Sequence, residues 1–143
     1  MLLSPRDFVR FLDGRYGDVQ RIAFVPGDLS RQIGTLESNL LIERTYARKL
    51  LLKHRLRYEH FQMIQPTIER GYVVIDGGGN LVFAYDDQER FHARFRLAVK
   101  TTDARDELWL RTFHRIKLAQ MNSLVRRFRL IREHQTREHM EPE

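Results

Sequence analysis

GYVVIDGGGNLVFAYD, Gly71 to Asp86, is two apolar runs rich in Val, Ile, Phe and Tyr, joined by Asp-Gly-Gly-Gly-Asn. β-branched and aromatic residues suit a pleated, half-buried surface, and glycine supplies the backbone freedom of a tight reversal, so the stretch predicts a β-hairpin. GGGN resembles a phosphate loop in composition, but it joins two strands, carries no P-loop lysine and opens no helix. Downstream, FHARFRLAVK sets Phe91, Ala93, Phe95, Leu97 and Val99 against His92, Arg94, Arg96, Ala98 and Lys100. Strict alternation predicts a strand with one apolar and one basic face. TTDARDE reads as the next turn and ELWLRTFHRI, Glu107 to Ile116, as the last strand. Four consecutive strands with short links predict an antiparallel meander.

Upstream, Ser4 before Pro5 and Asp7 is an N-cap with proline at the first helical position, which predicts a short helix ending near Gly14. RIAFV, Arg21 to Val25, reads as a short strand stopped by Pro26 and Gly27. From Asn39 to His54, Ile42, Tyr46, Ala47, Leu50 and Leu51 recur at helical spacing, placing His54 on or beside the buried stripe at the helix end. RYEHFQMI predicts a second short helix that stops before Pro66. After the strands, Leu118, Met121, Leu124, Val125, Phe128 and Ile131 line one face of a C-terminal helix whose other faces are arginine-rich, and the tail HQTREHMEPE reads as frayed. The expected fold is α+β: N-terminal helices packed on a four-stranded antiparallel meander, then a C-terminal amphipathic helix.

At 143 residues with 42% hydrophobic and 31% charged side chains, the chain fits a single globular domain, 1–143. There is no cysteine, which excludes disulfides, thiolate metal sites and cysteine catalysis, and favours a reducing, cytoplasmic home. The opening MLLSPRDF breaks its apolar run too early for a signal peptide, and no window has the length of a membrane span. The net charge is +6, and all but four of the 25 basic residues are arginine. Guanidinium binds phosphate bidentately and stacks on rings, so this excess points to a polyanionic partner, most simply nucleic acid. His54 and His60 are six residues apart on different helical faces, and no HExxH pattern is present, so no metal site or cofactor is expected. Acyl transfer and glycoside hydrolysis lack their nucleophile elbow and carboxylate pair.

What remains is a cationic set: Lys53, His54 and Arg57 near a helix end, Arg94, Arg96 and Lys100 on one strand, and Thr112, His114 and Arg115 on the next. By parity, Thr112 and His114 share a face with Leu108 and Leu110, while Arg111, Phe113 and Arg115 take the other. The three polar residues therefore meet only if twist, a bulge or the strand end intervenes.

The order of these pieces is informative. KH at a helix end (Lys53, His54), a proline-containing helical segment, the hairpin GYVVIDGGGNLVFAY, a strand ending AVKTT and a last strand LRTFHRI together resemble the phage-type branch of the barnase, EndoU, colicin and RelE-like nuclease superfamily. The resemblance covers residues 40–116 as a nuclease core, leaving 1–39 as an N-terminal extension and 117–143 as a basic helix and tail. It implies a metal-independent endoribonuclease, of the kind deployed by phages and mobile elements as a toxin, with RNA as substrate and a cognate inhibitor or immunity protein as partner. Carried over by position, it implies catalytic roles for His54, Lys100, Thr112 and Arg115, with His114 at a more variable place in the same motif.

RNA carries its own nucleophile. Attack of the 2′-hydroxyl on the adjacent phosphate gives a 2′,3′-cyclic phosphate and needs a base, an acid and cations around the phosphorane. His54 and His114 suit the proton transfers. Lys100 and Arg115 would hold phosphoryl charge, Thr112 would donate a hydrogen bond, and Lys53, Arg57, Arg94 and Arg96 would bind flanking phosphates. Two other readings use the same residues: a non-catalytic module that binds nucleic acid or an acidic protein through this basic face, and an accessory protein that oligomerises through Leu118 to Ile131.

Overall fold

The computed structural model describes residues 3–135. Helix α1, Pro5–Leu12, starts as the sequence predicts: the Ser4 hydroxyl accepts the Asp7 N–H at 3.1 Å, and Pro5 opens the first turn. Strand β1, Val19–Phe24, a short helix α2, Gly27–Ser30, and strand β2, Asn39–Glu43, follow. Helix α3, Arg44–Lys53, then leads through a 3-10 segment, Tyr58–Met63, into α4, Ile64–Arg70. The remainder is β3, Tyr72–Ile75, β4, Leu81–Asp87, β5, Ala93–Thr101, β6, Leu108–Ile116, helix α5, Leu118–Arg127, and β7, Arg129–Arg132.

All seven strands form one sheet in the order β1-β2-β6-β5-β4-β3-β7. This corrects the expected four-stranded meander. Strands β3 to β6 do lie side by side and antiparallel, but β2 pairs with β6 in parallel, Leu40 against Leu108 and Leu41 against Trp109, so the sheet is mixed. The expectation failed at both ends for one reason: short apolar stretches fit either period, and tertiary pairing chooses between them. NLLIE reads as the start of the middle helix, yet as β2 it lies between β1 and β6, burying Leu40 and Ile42 completely. Phe128 and Ile131 continue the spacing of α5, but the helix stops at Arg127 and the chain pairs with β3 instead. Pro66 sits inside the first turn of α4 instead of ending the helix before it, because its missing N–H is one that a first turn leaves unbonded anyway. The tail beyond Gln135 lies outside the described residues.

The sheet separates two apolar clusters. On one side, Phe8, Phe11, Ala47, Leu50, Phe61 and Ile68 from the helices meet Leu81, Phe83, Phe95, Leu97, Leu108 and Phe113. Residues 3–39 thus belong to the main core and are not appended to it. On the other side, Met121 and Leu124 of α5 meet Val74, Val82, Ala84 and Ala98, with Tyr72, Ile116 and Phe128 partly buried against them. The hairpin turn between β3 and β4 is held by Asp76, whose Oδ1 accepts the N–H groups of Gly78 and Asn80 at 2.9 and 3.0 Å, and Gly79 takes the positive φ of +77° that the reversal needs.

The ladder between β5 and β6 carries the feature that decides the site. Ala98 pairs with Thr112 and Val99 with Leu110, so Arg111 is an extra residue on β6, a β-bulge. Parity breaks there. Leu108, Leu110 and Phe113 all face the main core, although the last two are three apart. The expectation that Thr112 and His114 share a face with Leu108 and Leu110 is therefore overturned: they lie opposite Ala98 and Arg96, on the other side of the sheet.

Candidate functional site

Beyond the two residues that pair β2 with β6, the outer edge of β6 is flanked by α3. Tyr46, Lys49 and Lys53, spaced three and four apart, share one helix face. That face, with Lys100 at the end of β5 and Trp109, Arg111 and Thr112 of β6, lines an open groove of about 1100 Å³. Its cations Lys49, Lys53, Lys100 and Arg111 outnumber the carboxylates Glu43 and Asp103 at its border. Leu110, Arg111 and Thr112, on both sides of the bulge, all reach this groove.

His54 caps the C-terminus of α3, its N–H donating to the Leu50 carbonyl at 3.1 Å. Its ring stacks on His114, with centroids 4.8 Å apart and planes at 23°. The helix end and the last strand thus meet at two imidazoles. His114 Nδ1 lies 3.1 Å from the Arg115 carbonyl. A carbonyl only accepts, so Nδ1 carries the proton in the neutral ring and Nε2 is left to exchange one. Burial, reinforced by Lys53, lowers the pKa of His54. Burial also lowers that of His114, opposed by the Arg115 carbonyl and reinforced by His54, Arg96 and Lys53. Both rings are therefore mainly neutral at neutral pH, and adding one proton to the pair makes the second harder to add.

Of the residues singled out from the sequence, Lys53, Lys100 and Thr112 line the groove, and His54 and His114 stack on each other. Arg96 joins them from below, half-buried and directly opposite His114 on β5. Burial lowers its pKa, and Asp76 offsets part of that loss. The Asp76 carboxyl is pushed up by burial, but hydrogen bonds from Asn80 and Gly78, with Arg96 nearby, hold it below the usual range. Three do not join. Arg115 pairs opposite Phe95 on the core side, with Nη2 3.5 Å from the Arg55 carbonyl. Arg94 is bound to Asp86 at 3.6 Å near the far end of β5. Arg57 sits near Phe91, its guanidinium 5.8 Å from that ring.

Sequence reasoning missed Tyr46, Lys49, Trp109 and Arg111. The helical spacing of 46, 49 and 53 was available, and the apolar step from Leu110 to Phe113 was the mark of a broken alternation. Burial raises the Tyr46 pKa, with Arg111 pulling the other way, so the phenol stays a neutral hydrogen-bonding group in the groove. His60, by contrast, is a packed residue: it is buried beside Phe91 and Phe95, and its Nδ1 accepts the Arg57 N–H at 2.8 Å. Among the described residues, no three His, Asp or Glu side chains are grouped to hold a metal ion, and no helix is long and apolar enough to cross a membrane.

No protein-family model, no curated protein and no solved structure matches the chain.

Proposed function

We propose that the groove binds single-stranded RNA and that His54 and His114 cleave it by 2′-hydroxyl transesterification. The observation that carries this reading is the imidazole pair, 4.8 Å apart, beside Lys53, which itself lines the cationic groove. One neutral imidazole takes the 2′-OH proton as the 2′-O–P bond forms. The other, in the minority of molecules in which the pair holds one proton, gives it to the 5′-oxygen as the P–O5′ bond breaks, leaving a 2′,3′-cyclic phosphate and a 5′-hydroxyl. Lys53, Lys100 and Arg111 face the phosphoryl oxygens, and Thr112 donates a hydrogen bond. Arg111 takes the place first expected for Arg115, which lies on the opposite face. The ordered likeness to the nuclease superfamily supports the same reaction, and with it an acidic inhibitor whose carboxylates would complement the groove.

The test is incubation of the chain with mixed RNA in excess chelator, followed by analysis of the 3′ ends. Cyclic phosphate termini are expected, falling about 10²- to 10⁴-fold in rate for His54→Ala and for His114→Ala. Intact RNA retained on the protein in a salt-sensitive way, with no new termini, would replace the nuclease by a binding module.

A further inference from the structure

The face that carries His114 holds a second recess. It lies between α5 and strands β5 and β6, encloses about 490 Å³, and is lined by Arg96, His114, Ile116, Ser123, Arg127 and Phe128 among others. That volume falls within the range of small-molecule sites, ~300–1,000 Å³. Thr112, His114 and Ile116 alternate along one side of β6, the first lining the groove, the last the recess, and His114 standing between them. The two depressions are therefore consecutive along the same strands.

Their chemistry differs. The groove is walled by flexible cations, which recognise phosphate and carry no sequence information. The recess has an apolar wall in Ile116 and the partly buried Phe128, a guanidinium 5.2 Å from the Phe128 ring in Arg127, and a hydroxyl in Ser123. Small and polar residues on this flank of α5, Ala119, Gln120 and Ser123, leave the space open where larger ones would have closed it over Ile116. A flat heterocycle with a hydrogen-bonding edge is what such walls accept, since unstacked RNA bases are held on aromatic and guanidinium planes and read along their edges.

We propose that this recess is a nucleobase subsite. It takes the base next to the phosphate held at His54 and His114, with Phe128 and Arg127 against the ring and Ser123 at its edge. This assigns a role to the C-terminal helix, and it rests on the reading of the groove as an RNA site.

The experiment titrates the intact chain with each of the four ribonucleoside monophosphates by methyl and amide NMR, and repeats the titration with Ala119→Trp, an exposed position that fills the recess. A parallel assay maps cleavage sites in mixed RNA. The subsite predicts base-dependent shifts at Ile116 and Leu124 that vanish in Ala119→Trp. It also predicts a loss of about tenfold to a hundredfold in kcat/KM at the preferred base, carried mainly by KM, roughly the worth of one stacked base. Should Ala119→Trp show an altered fold by its own spectrum, Ser123→Gln serves as the second filling variant. Shifts confined to Lys53, Lys100 and Thr112 and equal for all four nucleotides would overturn the subsite while leaving cleavage standing. Base-dependent shifts in the recess without any cyclic phosphate would sustain the subsite and overturn the cleavage reaction instead.

Discussion

On one side of the sheet, helices from the N-terminal half bury a continuous apolar cluster reaching from β1 to β3. On the other, α5 covers the region around β3 and β4 and leaves much of β5 and β6 bare. The same strands supply both surfaces. Leu97 and Phe113 point one way and are fully buried, while their neighbours Arg96 and His114 point the other and remain partly exposed. Apolar side chains at those positions would have stabilised the domain by about 1.5–3 kcal/mol each on full burial. Cations and imidazoles there forgo that gain and lose hydration as well, so the bare half of the second side is where function has displaced stability.

The comparison is broken most sharply by neighbouring substitutions of opposite facing. Phe113→Ala should cost about 3–5 kcal/mol by denaturant unfolding. Thr112→Val, one residue away, should change stability by less than about 0.5 kcal/mol yet slow RNA cleavage. Equal destabilisation of the two would mean that the sides are not distinct.

Two glycines around β3 sharpen the same contrast. A Cβ at Gly71 would come within 2.6 Å of the Ala84 carbonyl oxygen and 2.7 Å of that of Thr67, both backbone atoms. Gly71→Ala should therefore cost about 1–3 kcal/mol. Gly77, in the open hairpin turn, has nothing within 4 Å and no positive φ, so Gly77→Ala should be close to neutral in the same thermal melt.

Acid acts on the histidines of both sides. His54, His60 and His114 all have pKa values lowered in the folded chain, with burial the largest cause for each. The unfolded chain therefore binds more protons just below the ordinary histidine value of ~6.5, and stability present above that pH is lost as the pH falls through the window. Thermal melts from pH 7 to 5 should show this decline, and the double variant His54→Ala, His114→Ala should flatten part of it, leaving the share owed to His60. The acid limb of cleavage should likewise fall below ~6.5.

The smallest expected effect is electrostatic. Lys100→Ala should reduce the log–log salt slope of RNA binding by ~0.7, one single-strand phosphate contact, whereas Arg94→Ala should leave the slope unchanged. Its guanidinium already serves Asp86. An equal change in both would extend the binding surface along the whole of β5.

Legibility from sequence divides along the same lines. Elements with local signals were readable: the Ser4 cap, the glycine turn, the alternation of β5, and a helix ending at His54. The convergence of Lys53, His54, Lys100, Thr112 and His114 was an expectation that rested on motif order; Lys53, Lys100 and Thr112 line the groove, and His54 stacks on His114. Elements fixed by distant partners were not readable. NLLIE becomes a strand because β1 and β6 stand on either side, and RLIR because β3 offers it an edge. Arg115 was assigned by adjacency to His114, and adjacency along a strand means opposite sides of it.

Arg111 gives the last strand two spatial reading frames. Before it, Leu108 and Leu110 face the main core; after it, Thr112, His114 and Ile116 face away and Phe113 faces the core, with a single residue as the punctuation between the two phases. Sequence change on this strand is accordingly of two kinds. Replacement alters one side chain in place, but a gain or loss of one residue at the join re-registers every position on one half, exchanging interior for exterior. The length of the strand here is as much a part of the candidate surface as the residues on it.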